Sequence, residues 1–276
     1  MPITSDLGGK NYTLGRGRVF FDRFTPAQVA AGITAATQGE GERYFGNTTE
    51  FNMTSEEEVL DHFSSEGGIR VKDDSVSLQL DRTGTLTTDH IDAANLALLF
   101  LSDGETSEVQ AAAADVTQVI TVSPGFFYQI GASESNPSGV RLVSAVSVDK
   151  GAGFATAVAA AGNYEVDETL GRLYVLPDST DLPAGTEIQI TYTTAAATRE
   201  QVISKSQSIY GALRFVADNP KGSNRDYYMP YVKLAPNGDY NLKGDDWQTM
   251  SFTFEVLQKA SNIQGVYIDG RAVATP

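Results

Sequence analysis

Histidine has the widest chemical repertoire near neutral pH, and this sequence contains two, His62 and His90. Each has acidic neighbours, Asp61 beside the first and Asp89 and Asp92 around the second. A metal site or an acid–base pair is therefore one interpretation. The His-Glu-x-x-His spacing of zinc enzymes is absent. Both histidines lie at predicted turns, so we favour solvated side chains with no metal or catalytic role.

Runs of carboxylates offer a second chemistry, at Asp73-Asp74, Asp245-Asp246 and Glu56-Glu57-Glu58. A glycoside hydrolase needs two carboxyl groups that face each other at a defined separation. Adjacent side chains of a strand point to opposite faces, so neighbours in sequence do not form such a pair. Solvated surface is the favoured interpretation, and a carbohydrate-active hydrolase is the enzyme alternative.

A glycine-rich segment, Gly15-Arg16-Gly17-Arg18, is the one candidate for a phosphate-binding loop. It lies at the start of a predicted strand and not between a strand and a helix, so the amide cradle of a nucleotide site is not expected. Serine is plentiful, but no Gly-x-Ser-x-Gly elbow is present. We therefore predict no catalytic, cofactor-binding or metal-binding residues and no enzymatic activity.

An aromatic group could stack on sugars or form sheet core and subunit interface: Tyr227, Tyr228, Tyr231, Tyr240 and Trp247. The second interpretation is favoured, because aromatic residues prefer strands and carry much of the energy of interfaces. A glycan- or receptor-binding β-sandwich is the binding-protein alternative.

The composition limits the classes of protein that remain. The 276 residues carry a formal charge of −15, which disfavours a surface that grips nucleic acid through clustered Lys and Arg. No apolar stretch is long enough to span a bilayer, and no basic leader opens the sequence. The absence of cysteine excludes disulfides and thiolate metal sites. Stability must come from packing, hydrogen bonds and assembly.

Short runs of alternating hydrophobicity, broken by Gly, Asn, Asp and Pro, predict a mainly β fold. The first strands are predicted at 14–24, 47–60 and 69–80, with a turn at 64–68. Val76, Leu78 and Leu80 are expected to share one face. Residues 25–42 lack alternation, and although Thr25-Pro26 could begin a short helix, we predict a long mobile loop.

One helix is predicted at 91–101, with Asp89 as its N-cap. Its leucines surround most of the cylinder, so it is expected to pack on the sheet.

A change in composition marks an inserted domain at 106–198. It divides a host domain into a first part, 1–105, and a second part, 199–276. Ala-rich segments at 110–114 and 194–197 are predicted to be linkers, and the segment holds 3 basic and 10 acidic residues. Its predicted strands are 116–122, 139–148, 164–166, 172–176 and 187–192, typical of a small β-sandwich. Strands then follow at 208–217, 227–234, 249–257 and 266–268, with a turn at 236–239.

Several segments resemble the major tail tube proteins of long, non-contractile-tailed bacteriophages. They are 44–53 (YFGNTTEFNM), 60–70 (LDHFSSEGGIR) with Lys72-Asp73-Asp74, the helix at 91–101, and 238–248 (GDYNLKGDDWQ) leading into 250–257. The resemblance covers about two-thirds of the chain and leaves the insertion as an immunoglobulin-like decoration domain.

The resemblance implies a virion protein whose hexameric rings stack into a tail tube for genome ejection, assembled in the host cytoplasm. A long loop of each ring would contact the next ring, and the loop at 25–42 is the candidate for this contact. Its β-sandwich or barrel domain with one packed helix would join the sheets of neighbouring copies. The implied partners are other copies of the chain, further tail proteins at the tube ends and a tape measure protein in the lumen. DNA would pass as non-adhering cargo, and acidic residues would line the bore. Neither a cofactor nor membrane insertion is implied.

Overall fold

A computed structural model describes residues 12–272, which contain seventeen strands and two short α-helices. The mainly β prediction is confirmed. The chain divides into two compact units, the first built from the chain up to Thr106 and from Val202 onward, and the second from Ser107–Gln201.

Ten of these elements belong to the first unit, six before the second unit in the sequence and four after it. In chain order they are β1 (Gly17–Arg23), α1 (Pro26–Ala31), β2 (Arg43–Tyr44), β3 (Thr48–Ser64), β4 (Val71–Thr88), α2 (Ala93–Leu99), and later β14 (Ile209–Ala217), β15 (Arg225–Pro236), β16 (Met250–Val256) and β17 (Tyr267–Gly270). The intervening strands are β5 (Thr106–Gln110), β6 (Ala113–Val122), β7 (Phe127–Gln129), β8 (Val143–Lys150), β9 (Thr156–Val158), β10 (Tyr164–Asp167), β11 (Arg172–Val175), β12 (Thr186–Thr194) and β13 (Ala197–Gln201). Most predicted strands are confirmed, whereas β2, β5, β7, β9 and β13 were not predicted.

One antiparallel sheet forms the first unit, in the order β2-β1-β14-β15-β16-β4-β3, with β17 beside part of β15. Alternate residues of β16, Met250, Phe252 and Phe254, are buried, as expected for a strand with one core face. Phe51 of β3 stacks on Phe254 at 5.4 Å and on Phe215 of β14 at 5.5 Å. Strands far apart in the sheet order therefore share one core.

Helix α2 covers part of this core and begins two residues later than predicted. Asp92, not Asp89, is the N-cap, and its carboxylate accepts the amide of Asn95 at 2.6 Å. Asp89 instead accepts two hydrogen bonds from the side chain of Asn47. Leu98 is buried, and the neighbouring leucines pack against the core as predicted.

The segment at 25–42, predicted as a long loop, begins with the short helix α1 and contains no further helix or strand. Thr25 caps α1 and forms a reciprocal capping box with Gln28, which fixes the first turn. Beyond the helix, the carboxylate of Asp22 accepts the amides of Gly39 and Gly41 at 3.0 and 2.9 Å. These hydrogen bonds fix the position of the segment at 25–42, which has few large apolar side chains.

The second unit is a sandwich of a four-stranded sheet, β6-β12-β8-β9, and a three-stranded sheet, β10-β11-β7. Its core joins residues of both sheets, among them Leu173 and Val175 with Ile188 and Ile190. The first and last strands of the sandwich, β6 and β12, are paired, whereas immunoglobulin constant domains separate these strands into two sheets. The likeness to immunoglobulin domains thus lies in the two-layer architecture.

The Ala-rich segments, predicted as linkers, lie inside the second unit and are partly in strands. Ala113 lies in β6 opposite Thr194 of β12, and Ala197 begins β13, which pairs with β5. The side-chain amide of Gln110 donates to the carbonyls of Arg141 and Ala195. The chain therefore enters this unit through β5 and leaves it through β13, and these two strands pair with each other.

Candidate assembly surfaces

The distal parts of β3 and β4 form an exposed hairpin arm, residues 55–82, in the first unit. β4 pairs with β16 only from Thr83 to Thr88, so the rest of β4 extends past the sheet with β3 as its partner. At about 3.3 Å per residue, the ten residues of β3 from 55 to 64 span roughly 33 Å. Almost every side chain of this arm is exposed.

Large apolar side chains lie on both faces of the arm. Their exposed fractions run from 40% for Phe63 to 82% for Ile69, and the set is Val59, Leu60, Phe63, Ile69, Val71, Val76, Leu78 and Leu80. The prediction that Val76, Leu78 and Leu80 share one face is wrong, because a bulge interrupts the ladder between Glu58 and Val59. Val76 is opposite Leu60 and Leu80 is opposite Glu57, three residues away on β3, which places them on opposite faces.

The arm also carries most of the candidate catalytic acids. Glu56, Glu57 and Glu58 are exposed, and alternation divides them between the two faces. Hydrogen bonds from the Lys72 ammonium at 2.5 Å and from the Ser75 hydroxyl at 3.0 Å lower the pKa of Asp61. A carboxyl group with a lowered pKa is ionised at neutral pH and is a poor general acid.

Each histidine contacts one carboxylate. His62 Nδ1 lies 2.6 Å from Asp73 on the exposed arm, and His90 Nε2 lies 3.6 Å from Asp92, which is occupied as the cap of α2. Within residues 12–272, no three His, Asp or Glu side chains form a group that could hold a metal ion. Asp245 and Asp246 are exposed in the loop before β16.

The glycine-rich segment lines an open groove of about 1150 Å³ in the first unit. Phe51, Met53 and Phe215 contribute apolar surface to its wall. Its four cationic residues come from two separate parts of the chain and outnumber the single acid, Asp218: Arg16, Arg18, Lys221 and Arg225. None of the four forms an ion pair with another residue of the described range. We call this surface the basic groove.

The aromatic group mostly serves packing in the first unit. Tyr228 lies beneath the Arg214 guanidinium at 4.2 Å, Tyr231 stacks on Phe24, and Tyr227 and Tyr240 contact the core. Trp247 differs, since 94% of it is exposed in the loop before β16.

Sequence reasoning missed the basic groove and the exposure of the arm. Arg18 lies in β1 opposite Val216 of β14, and this pairing brings the segment at 16–18 beside the segment at 221–225. The basic residues within 15–18 and within 221–225 were a signal in the sequence, but nothing there indicated that the two segments meet.

Residues 14–268 match the model of one protein family, described as protein of unknown function UCP028589. The chain belongs to that family. The matched range spans both units. No curated protein matches the chain. Neither helix among residues 12–272 is long and apolar enough to cross a bilayer.

Proposed function

We propose that this chain is a structural subunit that polymerises as stacked hexameric rings into the tail tube of a long, non-contractile-tailed bacteriophage. The observation that carries the proposal is the arm, whose apolar side chains remain largely exposed in the described part of the chain. A two-stranded ribbon is marginally stable in water, and exposed apolar patches mark interaction sites. Burial against other copies would stabilise the arm.

The open edge of the sheet supports the same proposal. β3 is 17 residues long, lies at the end of the sheet order, and pairs only with β4 in the described part of the chain. Its outer edge presents unpaired backbone donors and acceptors, which favour pairing with another strand. Sheets of neighbouring copies could join there into a closed barrel, which removes the edges.

The charge of the chain is compatible with a DNA conduit. A surface with excess carboxylates repels phosphates, so a bore lined by such residues would let DNA slide without adhesion. The proposal gives the chain no catalytic role, and its partners are other copies, tail proteins at the tube ends and a tape measure protein in the lumen.

Negative-stain microscopy of the purified chain tests this proposal. We expect hexameric rings or long hollow polymers that sediment rapidly, and their amount should rise steeply with protein concentration. A chain that remains monomeric or a small oligomer at every concentration would contradict the assignment.

A glycan- or receptor-binding virion protein is the second candidate, and the exposed Trp247 favours it. An indole on an exposed loop can stack on a sugar ring, and Leu242 on the same loop is 76% exposed. A glycan array separates the candidates, because sugar binding that Trp247→Ala abolishes, without polymers in the microscope, would favour this alternative.

A further inference from the structure

The acidic arm and the basic groove have opposite charges on the same unit. The arm, residues 55–82, contains eight acidic and three basic residues. The groove presents Arg16, Arg18, Lys221 and Arg225 against one acid. Both surfaces also combine charge with apolar side chains, which in the groove include Phe51 and Phe215. We propose that the arm of one copy docks in the basic groove of another copy, an inference that rests on the proposed polymer.

The register of β3 prevents the arm from filling the groove of its own chain. Thr48, Thr49, Phe51 and Met53, at the base of β3, line the groove, and the strand then leaves it in an extended ladder with β4. Asp61 and Asp74 lie eight or more residues from Met53 along their paired strands, about 26 Å at the rise of an extended strand. An extended ladder does not turn back on itself, so the occupant must be another molecule.

The two surfaces differ, and this determines the kind of assembly. A contact between an arm and a groove is heterologous when each copy gives its arm to one neighbour and receives the arm of a different one. Repetition of that contact gives a closed ring or an open filament, whereas a reciprocal exchange of arms would give a two-fold dimer. Arm docking would therefore supply a contact that a tube requires, either within a ring or between rings.

Charge reversal tests this docking. The arm variant carries Glu56→Lys, Glu57→Lys and Glu58→Lys, and the groove variant carries Arg18→Glu, Lys221→Glu and Arg225→Glu. All six side chains are exposed, so the fold should persist in circular dichroism. Each variant alone should reduce the sedimenting fraction about tenfold or more, since like charges across an interface cost several kcal/mol. The matched control, Glu165→Lys, Glu168→Lys and Glu187→Lys in the second unit, should polymerise like the wild type.

Rescue gives the decisive result. A chain with all six reversals, or an equimolar mixture of the two variants, should recover polymers, because the opposite charges again face each other. Wild-type polymers together with normal polymers from both single variants would overturn the docking and leave the proposed function intact. A wild-type chain that never polymerises would overturn both. Binding of a DNA oligonucleotide that the groove variant abolishes would assign the groove to nucleic acid and also overturn the docking.

Discussion

Asn95 is a fully buried polar side chain that joins three segments of the first unit. Its amide nitrogen donates to the carbonyls of Phe45 and His90 at 3.0 and 2.9 Å, and its carbonyl oxygen accepts from Arg43 at 2.5 Å. Burial lowers the pKa of the Arg43 guanidinium, and the nearby carboxylate of Asp92 partly offsets this effect. The half-buried cation therefore depends on its hydrogen-bond acceptors. The site has a structural role near the base of α2.

Asn95→Ala should lower the free energy of unfolding by about 2–3 kcal/mol, because it leaves buried polar groups without partners. Urea denaturation of the two chains measures the difference. Asn241→Ala, in an exposed loop, is the control and should change the free energy by less than about 0.5 kcal/mol. Equal effects of the two substitutions would contradict the role assigned to Asn95.

Gly84 lies at the base of the arm, opposite Met53. A Cβ at this position would overlap the backbone oxygen of Asn52 and the ring of Phe254. Gly84→Ala should therefore destabilise the first unit by about 1–3 kcal/mol through overpacking. Gly67, in the turn of the arm, has nothing closer than 3.8 Å at the same position, and Gly67→Ala should leave thermal unfolding nearly unchanged.

At the scale of elements, the arm can be separated from the fold that carries it. Ser55 and Arg82 are opposite each other in the ladder, so Asn-Gly can join them in a tight turn and replace residues 56–81. The deleted side chains contribute nothing to the buried core. The shortened chain should keep its circular dichroism and melting temperature but lose polymerisation. Polymers of normal length from this variant would remove the arm from assembly.

The segment at 25–42 is an element that local polar contacts hold in place. We expect the amides of Val29 and Gly32, which donate within α1 and its C-cap, to exchange slowly in the free subunit. Asp22→Ala should speed exchange at Gly39 and Gly41 at least severalfold, because their carboxylate acceptor is lost. Hydrogen exchange resolved by mass spectrometry checks this, and uniform fast exchange in both chains would contradict the structured segment.

At the scale of the whole molecule, the second unit has its own core and its own paired entry and exit strands. Domains of this kind tolerate deletion when both ends are close together. Replacing Ser107–Gln201 with a short Gly/Ser bridge should leave a folded first unit that still forms tubes, visible by microscopy. A bridged chain that folds by circular dichroism but never polymerises would show that the second unit takes part in assembly.

The sequence by itself determined the local structure. Alternation at Met250, Phe252 and Phe254 predicted a strand with one buried face, and the leucines around Leu98 predicted the packed helix. Asn237-Gly238 predicted a tight reversal, and this prediction is wrong, because the longer segment 237–249 connects β15 to β16. The strand and the helix depend on side chains within a few residues of each other, where the periods of strand and helix apply directly. The acidic balance is likewise a property of composition.

Only the tertiary structure decided which apolar faces are covered and which charges meet. Val76 and Phe252 both lie in alternating segments, yet one is exposed and the other buried, because alternation does not specify whether the covering surface belongs to the same chain. The bulge between Glu58 and Val59 places Val76 on the opposite face of the arm from Leu80. Nothing in the composition of the segment indicated this bulge. Arg18 and Arg225 share a groove because β1 pairs with β14, and contacts between residues so distant in sequence depend on the register of the whole sheet.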